Sequence, residues 1–309
     1  MVDDDLTFLS ATELAAATLP AETPILAPIL STKSLALLYG PRGLGKTFLA
    51  LGIARAAAAG SNFLGWRAPR PHRVLYIDGE MAAVQMQQRL RHFGPVPEGL
   101  RFLLADLNCG PVLDLVHGDS QQRLMARWGD PELVVLDNLA SLAGLRRGNP
   151  DRWHELHRFL MVQRQCGRGI LMIHHANKRG LQRGTGRRED ILDLVMAIRR
   201  PNGWQPGDGT EFEIHFEKAR ALHGAAIQPM RVGLEQGPDG LAWRHQPIDE
   251  SLFEQVVALL NRGRNAAYVA GALNLSRSGA YRLRDRAIAL GRLNDRAASN
   301  ESRPAESRP

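Results

Sequence analysis

The residues best suited to chemistry lie in GPRGLGKT, Gly40 to Thr47. Their spacing fits the phosphate-binding pattern G-x-x-x-x-G-K-[ST]. Gly40, Gly43 and Gly45 let backbone N–H groups close round a phosphate, with Pro41, Arg42 and Leu44 between them and Phe48 just after. Lys46 is placed to reach β- and γ-phosphates, and the Thr47 hydroxyl to hold Mg²⁺. An apolar run, Leu35 to Tyr39, leads in, and an Ala-rich helical run, Phe48 to Ala59, leads out. The loop therefore opens a helix, where backbone partial charge favours anions. The expected ligands are ATP and Mg²⁺.

Two further apolar runs end in acids. RVLYID followed by Gly-Glu delivers Asp78 and Glu80, and LVVLD delivers Asp137. In open parallel sheets the ligand lies beyond the carboxyl ends of the strands. Asp137 is expected beside the metal with Thr47. Glu80 is then available to polarise an attacking water as general base. Asp78 fits a helix N-cap as well as any chemical role. A third run, GILMIHH, ends in His174 and His175. Side chains alternate along a strand, so one of the two can face the γ-phosphate and the other the core. The sequence does not choose between them.

The elements that must position these groups follow from hydrophobic patterning. Seven strand-like runs are LALLY (35–39), RVLYID (73–78), RFLLAD (101–106), LVVLD (133–137), GILMIHH (169–175), EFEIHFEKA (211–219) and MRVGLEQ (230–236). The first five are nearly continuous in hydrophobicity, as in parallel strands buried on both faces. The last two alternate, as in an antiparallel extension. Helical patterns lie between, including Ala82 to Phe93 and Arg152 to Gln165. The pattern is α/β, a mostly parallel sheet flanked by helices, over residues 31–246. Residues 1–30 read as an arm, in which Ser10 and Glu13 form a capping box for a helix from Ala11 to Thr18, stopped by Pro20.

Composition excludes several classes. Hydrophobic content of 44% supports a sizeable core. No apolar run approaches the ~18 residues of a membrane span. The acidic start, MVDDDLTFLS, lacks the features of a secretory signal, so a cytoplasmic protein is expected. Cys109 and Cys166 are the only cysteines, without metal-site spacing, and read as small buried hydrophobes. The net charge of +7 suits a polyanionic partner.

The order GPRGLGKT, VLYIDGEM, ELVVLDNLASL, ILMIHHANKRG resembles the RecA-like ATPases of the replicative-helicase branch, and within it the RepA-like AAA ATPases of plasmids, phages or mobile elements. The resemblance covers about residues 31–245. It implies a RecA-like fold, water activation by Glu80, a metal-side acid at Asp137, and a γ-phosphate sensor at His175 or His174. In hexameric relatives a K-x-R pair reaches the next subunit's γ-phosphate, and Lys218 and Arg220 fit that spacing. A pair of exposed cations on an edge strand is the competing reading. Lys178, Arg179, Arg183, Arg187 and Arg188 lie on a Gly-rich stretch after His175, which suits single-stranded DNA threading a ring, or simply a solvated loop. The implied activity is a ring-forming ATP-driven DNA helicase, a likeness that carries a homo-hexamer with it; the alternative is a DNA-binding ATPase switch that loads a partner without unwinding.

After a boundary near Gln246 to Asp249, residues 250–296 read as three helices of a helix-turn-helix, winged-helix-like module. Val269, Leu273, Tyr281, Leu283 and Ile288 are the expected core, and Ser276 the N-cap of the third helix. That helix carries Arg277, Arg282, Arg284 and Arg286, which suit duplex DNA. A helical hairpin for protein contacts is the competing reading. Residues 297–309 repeat ESRP without an apolar anchor, and disorder is expected there.

Overall fold

Strands that are apolar on both faces can only be stable with cover on both sides, and this requirement sets the architecture. The structure is a computed structural model, described over residues 7–19, 21–110, 113–144, 150–176, 190–201, 204–205, 209–237 and 240–293. The chain opens with α1 (Ala11–Ala16), capped by Ser10 and Glu13 as a capping box. Next come the short antiparallel pair β1 (Pro24–Leu26) and β2 (Leu30–Ser31), then β3 (Leu35–Gly40) and α2 (Lys46–Ala59). A hairpin of β4 (Asn62–Phe63) and β5 (Trp66–Arg67) precedes β6 (Val74–Asp78), α3 (Ala83–Arg91) and β7 (Leu100–Leu104). Then follow α4 (Gly118–Met125), β8 (Leu133–Asp137), α5 (Leu139–Leu142), α6 (Pro150–Gln165), β9 (Gly169–His175) and β10 (Leu194–Arg199). The sheet closes with β11 (Glu211–Ala219), β12 (Met230–Gly237) and β13 (Gly240–Pro247), and the chain ends in α7 (Ile248–Asn261), α8 (Ala266–Ala272) and α9 (Arg277–Ala289).

One nine-stranded sheet has the order β13-β12-β11-β10-β3-β9-β8-β6-β7. The six strands from β10 to β7 pair in parallel, while β10 to β13 pair antiparallel. This is the expected doubly wound α/β fold of RecA-like type: β9 separates the phosphate-loop strand from β8, which carries Asp137. On one face α2 packs against Tyr76, Val135, Ile173 and Met196. The helix is apolar nearly all round, because β1, β4 and β5 cover its outer side. On the other face Leu156 and Leu160 of α6 meet Leu37, Val134, Met172 and Val195.

Several boundaries differ from the sequence reading. The packed region begins before residue 31, because Ile25, Leu26, Ile29 and Leu30 are buried in the core. β10 and β13 are strands that the apolar runs above omit. LVMAIR follows a densely charged stretch, and GLAWRHQP is too polar to read as a strand until it pairs with β12. No linker separates the C-terminal helices, since Pro247 ends β13 and directly caps α7. Their core is Phe253, Val256, Val257, Leu260 and Val269, with Leu273 and Leu283 packed against it. Tyr281 and Ile288 are exposed instead, because α9 turns Ala280 and Ala287 inward. Both cysteines are exposed, in the turns after β7 and after α6, rather than buried. The tail 297–309 lies outside the described residues. Among the described residues no helix is long and apolar enough to cross a membrane.

The buried end of β8 is anchored by charge. Glu132 accepts from Arg70 at 2.5 Å and from the Arg73 N–H at 3.1 Å, and lies 3.3 Å from His72 Nδ1. Burial alone would raise this carboxyl, but the bonds from Arg70, Arg73 and His72 outweigh it and hold it at about 2. Because the folded value lies below the ordinary 4.5, the stabilisation is complete above that pH and is lost as pH falls towards 2. Glu132→Gln should lower the unfolding free energy at neutral pH by about 1–2 kcal/mol, allowing for the exposed Arg70. In denaturant titrations the gap from the parent should close as pH approaches that lower limit.

Candidate functional site

The phosphate loop turns from β3 into α2. Gly43 and Gly45 adopt φ of 73° and 97°. A Cβ on Gly45 would also lie 3.2 Å from the Phe212 ring and 3.3 Å from Thr210, so backbone twist and close packing both demand glycine. α2 starts at Lys46, two residues earlier than the apolar pattern implied, which puts Lys46 and Thr47 in its first turn. Lys46 is buried, its Nζ donating to the carbonyls of Gly40 at 3.0 Å and Pro41 at 2.6 Å. Burial pulls its ammonium down to about 8, against the attraction of Asp137 and Glu80. A buried cation served only by carbonyls, at a helix N-terminus, fits a phosphate.

Asp137 is 5% exposed at the end of β8. Its Oδ2 accepts from Thr47 Oγ1 at 2.8 Å and from the Tyr76 hydroxyl at 2.7 Å. Burial raises its pKa, and the bonds from Tyr76 and Thr47 oppose that. Burial also pushes the Tyr76 phenol well up, so Tyr76 remains a neutral donor. A hydroxyl and a carboxylate already in contact form the hard oxygen pair that Mg²⁺ prefers. Asp78 is not the N-cap of α3, a position that Ala82 takes; it caps the turn before that helix, its Oδ1 accepting from the N–H groups of Glu80 at 2.9 Å and Met81 at 2.6 Å.

That cap shapes the loop carrying Glu80. The exposed Glu80 carboxylate accepts from Asn138 Nδ2, and its Oε2 lies 3.5 Å from His175 Nε2. The same Asn138 amide lies 3.2 Å from His175 Nε2. His175 therefore faces the cleft, while His174, one residue earlier, is buried on the opposite face. Strand alternation puts only one of the two imidazoles at the site, and the packing of β9 in the sheet decides that it is His175. Burial lowers the His175 pKa, and Lys46 adds to the effect, so the ring is neutral at neutral pH.

These groups surround a cleft of about 360 Å³. Arg42, Phe48 and Thr210 also line it, while Leu44 is buried below the loop. Three contributors escaped the sequence reading. Tyr76 sits mid-strand, where only its parity with Asp78 could have marked it. Asn138 is the N-cap of α5, accepting from Ala140 N at 2.9 Å, and its amide also ties Glu80 to His175. Arg89 stacks its guanidinium 4.6 Å from the Phe48 ring centre and lines the cleft, a placement that no spacing announced.

The structure does not bring Lys218 and Arg220 to this cleft within one chain. Lys218 pairs with Val195 and Ala219 with Leu194, and Leu194 pairs with Ala36 at the start of β3. The phosphate loop follows the other end of β3, ~13 Å of strand away. Arg220 instead donates to the Asp190 carbonyl and lies 3.8 Å from Asp193. Lys178, Arg179, Arg183, Arg187 and Arg188 lie outside the described residues. Arg277, Arg282 and Arg284 sit on α9, in the C-terminal helices rather than at the cleft. Arg277 and Arg282 are exposed, whereas Arg284 pairs with Asp285 at 2.7 Å and stacks over Tyr281.

Residues 4–180, more than half of the chain, match the family described as AAA domain. The chain belongs to the AAA domain family. The matched span runs from the arm to just beyond His175 and contains the phosphate loop, Glu80 and Asp137. This AAA domain is a P-loop ATPase with a RecA-like core. Among solved structures, a KaiC-like protein from the hyperthermophilic archaeon Pyrococcus horikoshii OT3 is similar at 16% identity, with a TM-score of 0.49. The alignment covers 71% of this chain and 93% of that one. No curated protein matches the chain.

Lys46→Ala removes the one buried cation of the AAA domain's loop. Binding of a fluorescent ATP analogue should weaken on the order of 100-fold, with the thermal unfolding of the unliganded protein little changed.

Proposed function

We propose that the chain is a ring-forming, DNA-dependent ATP hydrolase that unwinds DNA in the cytoplasm. One observation carries this reading: the hydrogen-bonded connection Glu80–Asn138–His175 leads from the hydrolytic acid to the end of β9, immediately before the basic stretch 178–188. A change at the cleft is thereby placed three residues from the start of a segment whose charge suits a phosphate backbone.

The chemistry follows from the residues. Lys46 and the loop N–H groups bind the triphosphate. Thr47 and Asp137 would hold Mg²⁺, which supplies charge neutralisation on the phosphate oxygens. Glu80 accepts a proton from water as its oxygen attacks the γ-phosphorus and the bond to the β-phosphate oxygen breaks. Asn138 and His175 orient the carboxylate for that task. Lys218 and Arg220, remote from their own cleft, are assigned to the next subunit's γ-phosphate, where developing charge calls for cations in trans. Each active site is then shared between two copies, and a closed homo-hexamer is the assembly we favour.

A second reading rests on a separate observation. The helices α7 to α9 form their own small core, with Asn274 at φ 52° in the turn before Ser276 caps α9. Arg277, Ser278, Tyr281 and Arg282 are exposed on α9, a polar and basic face suited to duplex DNA as in a helix-turn-helix. In this reading nucleotide controls the loading of a partner at a bound site, without unwinding.

Strand displacement on a forked duplex separates the two readings. ATP hydrolysis stimulated by single-stranded DNA, with displacement, supports the helicase; hydrolysis that ignores single strands, with duplex binding lost in Arg277→Glu/Arg282→Glu, supports the switch. Glu80→Gln should retain nucleotide binding while steady-state hydrolysis falls about 10²- to 10⁴-fold. Mixing Lys46→Ala with Arg220→Ala should recover part of the hydrolysis that each lacks alone.

A further inference from the structure

The strand that carries Lys218 and Arg220 is fixed with unusual care at its end. In β11 the ladder to β10 runs regularly from Glu213 to Phe216 and then shifts, with Lys218 opposite Val195 and Ala219 opposite Leu194. Glu217 is the extra residue of that bulge, and a bulge re-aims the side chains around it. Glu217 is itself held, accepting from the Tyr39 hydroxyl at 2.6 Å and from Arg199 at 2.8 Å. Tyr39 immediately precedes the phosphate loop, so the bulge is tied to β3.

Beyond the bulge one carboxylate gathers three elements. Asp193 Oδ2 accepts from the Leu35 N–H, at the start of β3, at 2.9 Å. Its Oδ1 accepts from Arg164 of α6 at 3.2 Å and lies 3.8 Å from Arg220 Nη1. The Asp193 carbonyl also accepts from the Arg220 N–H at 2.9 Å, and Arg220 Nη2 donates to the Asp190 carbonyl. Capping Leu35 requires only one oxygen of Asp193. The other is turned to two arginines, of which only Arg164 belongs to the packing of α6. Arg220 is therefore held at its backbone and at its head, yet its side chain stays 48% exposed. A guanidinium carries five N–H groups, and these own-chain acceptors leave donors facing outward for an oxyanion.

We infer that Asp193 is the positioning residue of the shared active site: it fixes Arg220 in the direction in which that side chain meets the γ-phosphate held by the next copy. The inference rests on the assignment of Arg220 in trans made above, and adds what aims it. An arginine ordered before the partner arrives loses less side-chain freedom on assembly. Its charge also stands where charge develops on the phosphate oxygens, and misplacement by about 1 Å is enough to cost on the order of 100-fold in rate.

The test mixes full-length chains. Asp193→Asn keeps an oxygen for Leu35 and removes the charge that faces Arg220. Alone it should bind the fluorescent ATP analogue and sediment as the parent does, while kcat for ATP hydrolysis falls about 10- to 100-fold. Mixed with Lys46→Ala it should regain hydrolysis, because its clefts then receive an Arg220 that is held. A chain damaged in its own phosphate-loop strand gains nothing from such a neighbour. In an Arg220→Ala background, Asp193→Asn should cost nothing more. Asp193→Glu, which restores the charge on a longer stem, should fall between Asp193→Asn and the parent and be repaired by the same mixing. Parent-like hydrolysis by Asp193→Asn, beside an Arg220→Ala chain that is inactive alone and recovered by mixing, overturns the positioning role and leaves the shared site standing. A defect in both Asp193 variants that mixing does not repair overturns it too, by placing the action of Asp193 within its own chain. Parent-like hydrolysis by Arg220→Ala overturns both readings.

Discussion

A buried carboxylate with two hydroxyl donors is the constraint on which the site is built. Asp137 sits at the end of a central strand, where an unpaired charge would be costly. It is tolerated because Thr47 reaches it from α2 and Tyr76 from β6. Those two bonds fix the first turn of the phosphate-loop helix against two strands, and so fix the distance between Lys46 and the acids. The same fixed edge then sets Glu80, since the Gly79 N–H donates to the Asp137 carbonyl at 2.8 Å and Asp78 caps the turn that follows.

From that edge the sheet works as a divider. Its α2 face carries the cleft at the phosphate loop, and its other face, under α4, carries a cavity at β7 lined in part by Arg101, Arg123 and Arg127. The turn after β6 and the start of α5 lie where both cavities end, so Gly79, Asn138 and Ser141 are packed between them. Stiff packing at a shared wall transmits small displacements well, because close-packed contacts leave no slack to absorb them. The antiparallel extension β11 to β13 lies beyond β10, away from β7, and sends Lys218 and Arg220 to the end of the sheet remote from the loop.

Much of the core was legible because its signals are local. GPRGLGKT marks its own turn through glycine and its own helix through the alanines that follow. LVVLD and GILMIHH are long enough in apolar residues to be strands and nothing else, and the structure keeps both runs unchanged. Elements whose stability comes from their neighbours were less legible. GLAWRHQP becomes β13 only through its ladder with β12. Ile25 and Leu26 looked like part of a loose arm but are buried as a lid over α2. Tyr281 and Ile288 have helical spacing suited to a core, yet the small face of α9 packs inward because Phe253 and Leu283 already fill the space.

The sequence by itself determined the phosphate loop, the strands that end in Asp78 and Asp137, the turn after the first of them that holds Glu80, and the fact that only one of two adjacent histidines can face the ligand, since each depends on spacing along one strand or turn. Which histidine it is, that Asn138 ties it to Glu80, that Tyr76 completes the bonding of Asp137, and that an arginine-rimmed cavity backs onto the Glu80 loop were decided only by the tertiary structure. These are contacts between residues far apart in the chain, and they exist because pairing strands in one register brings their ends to a common edge.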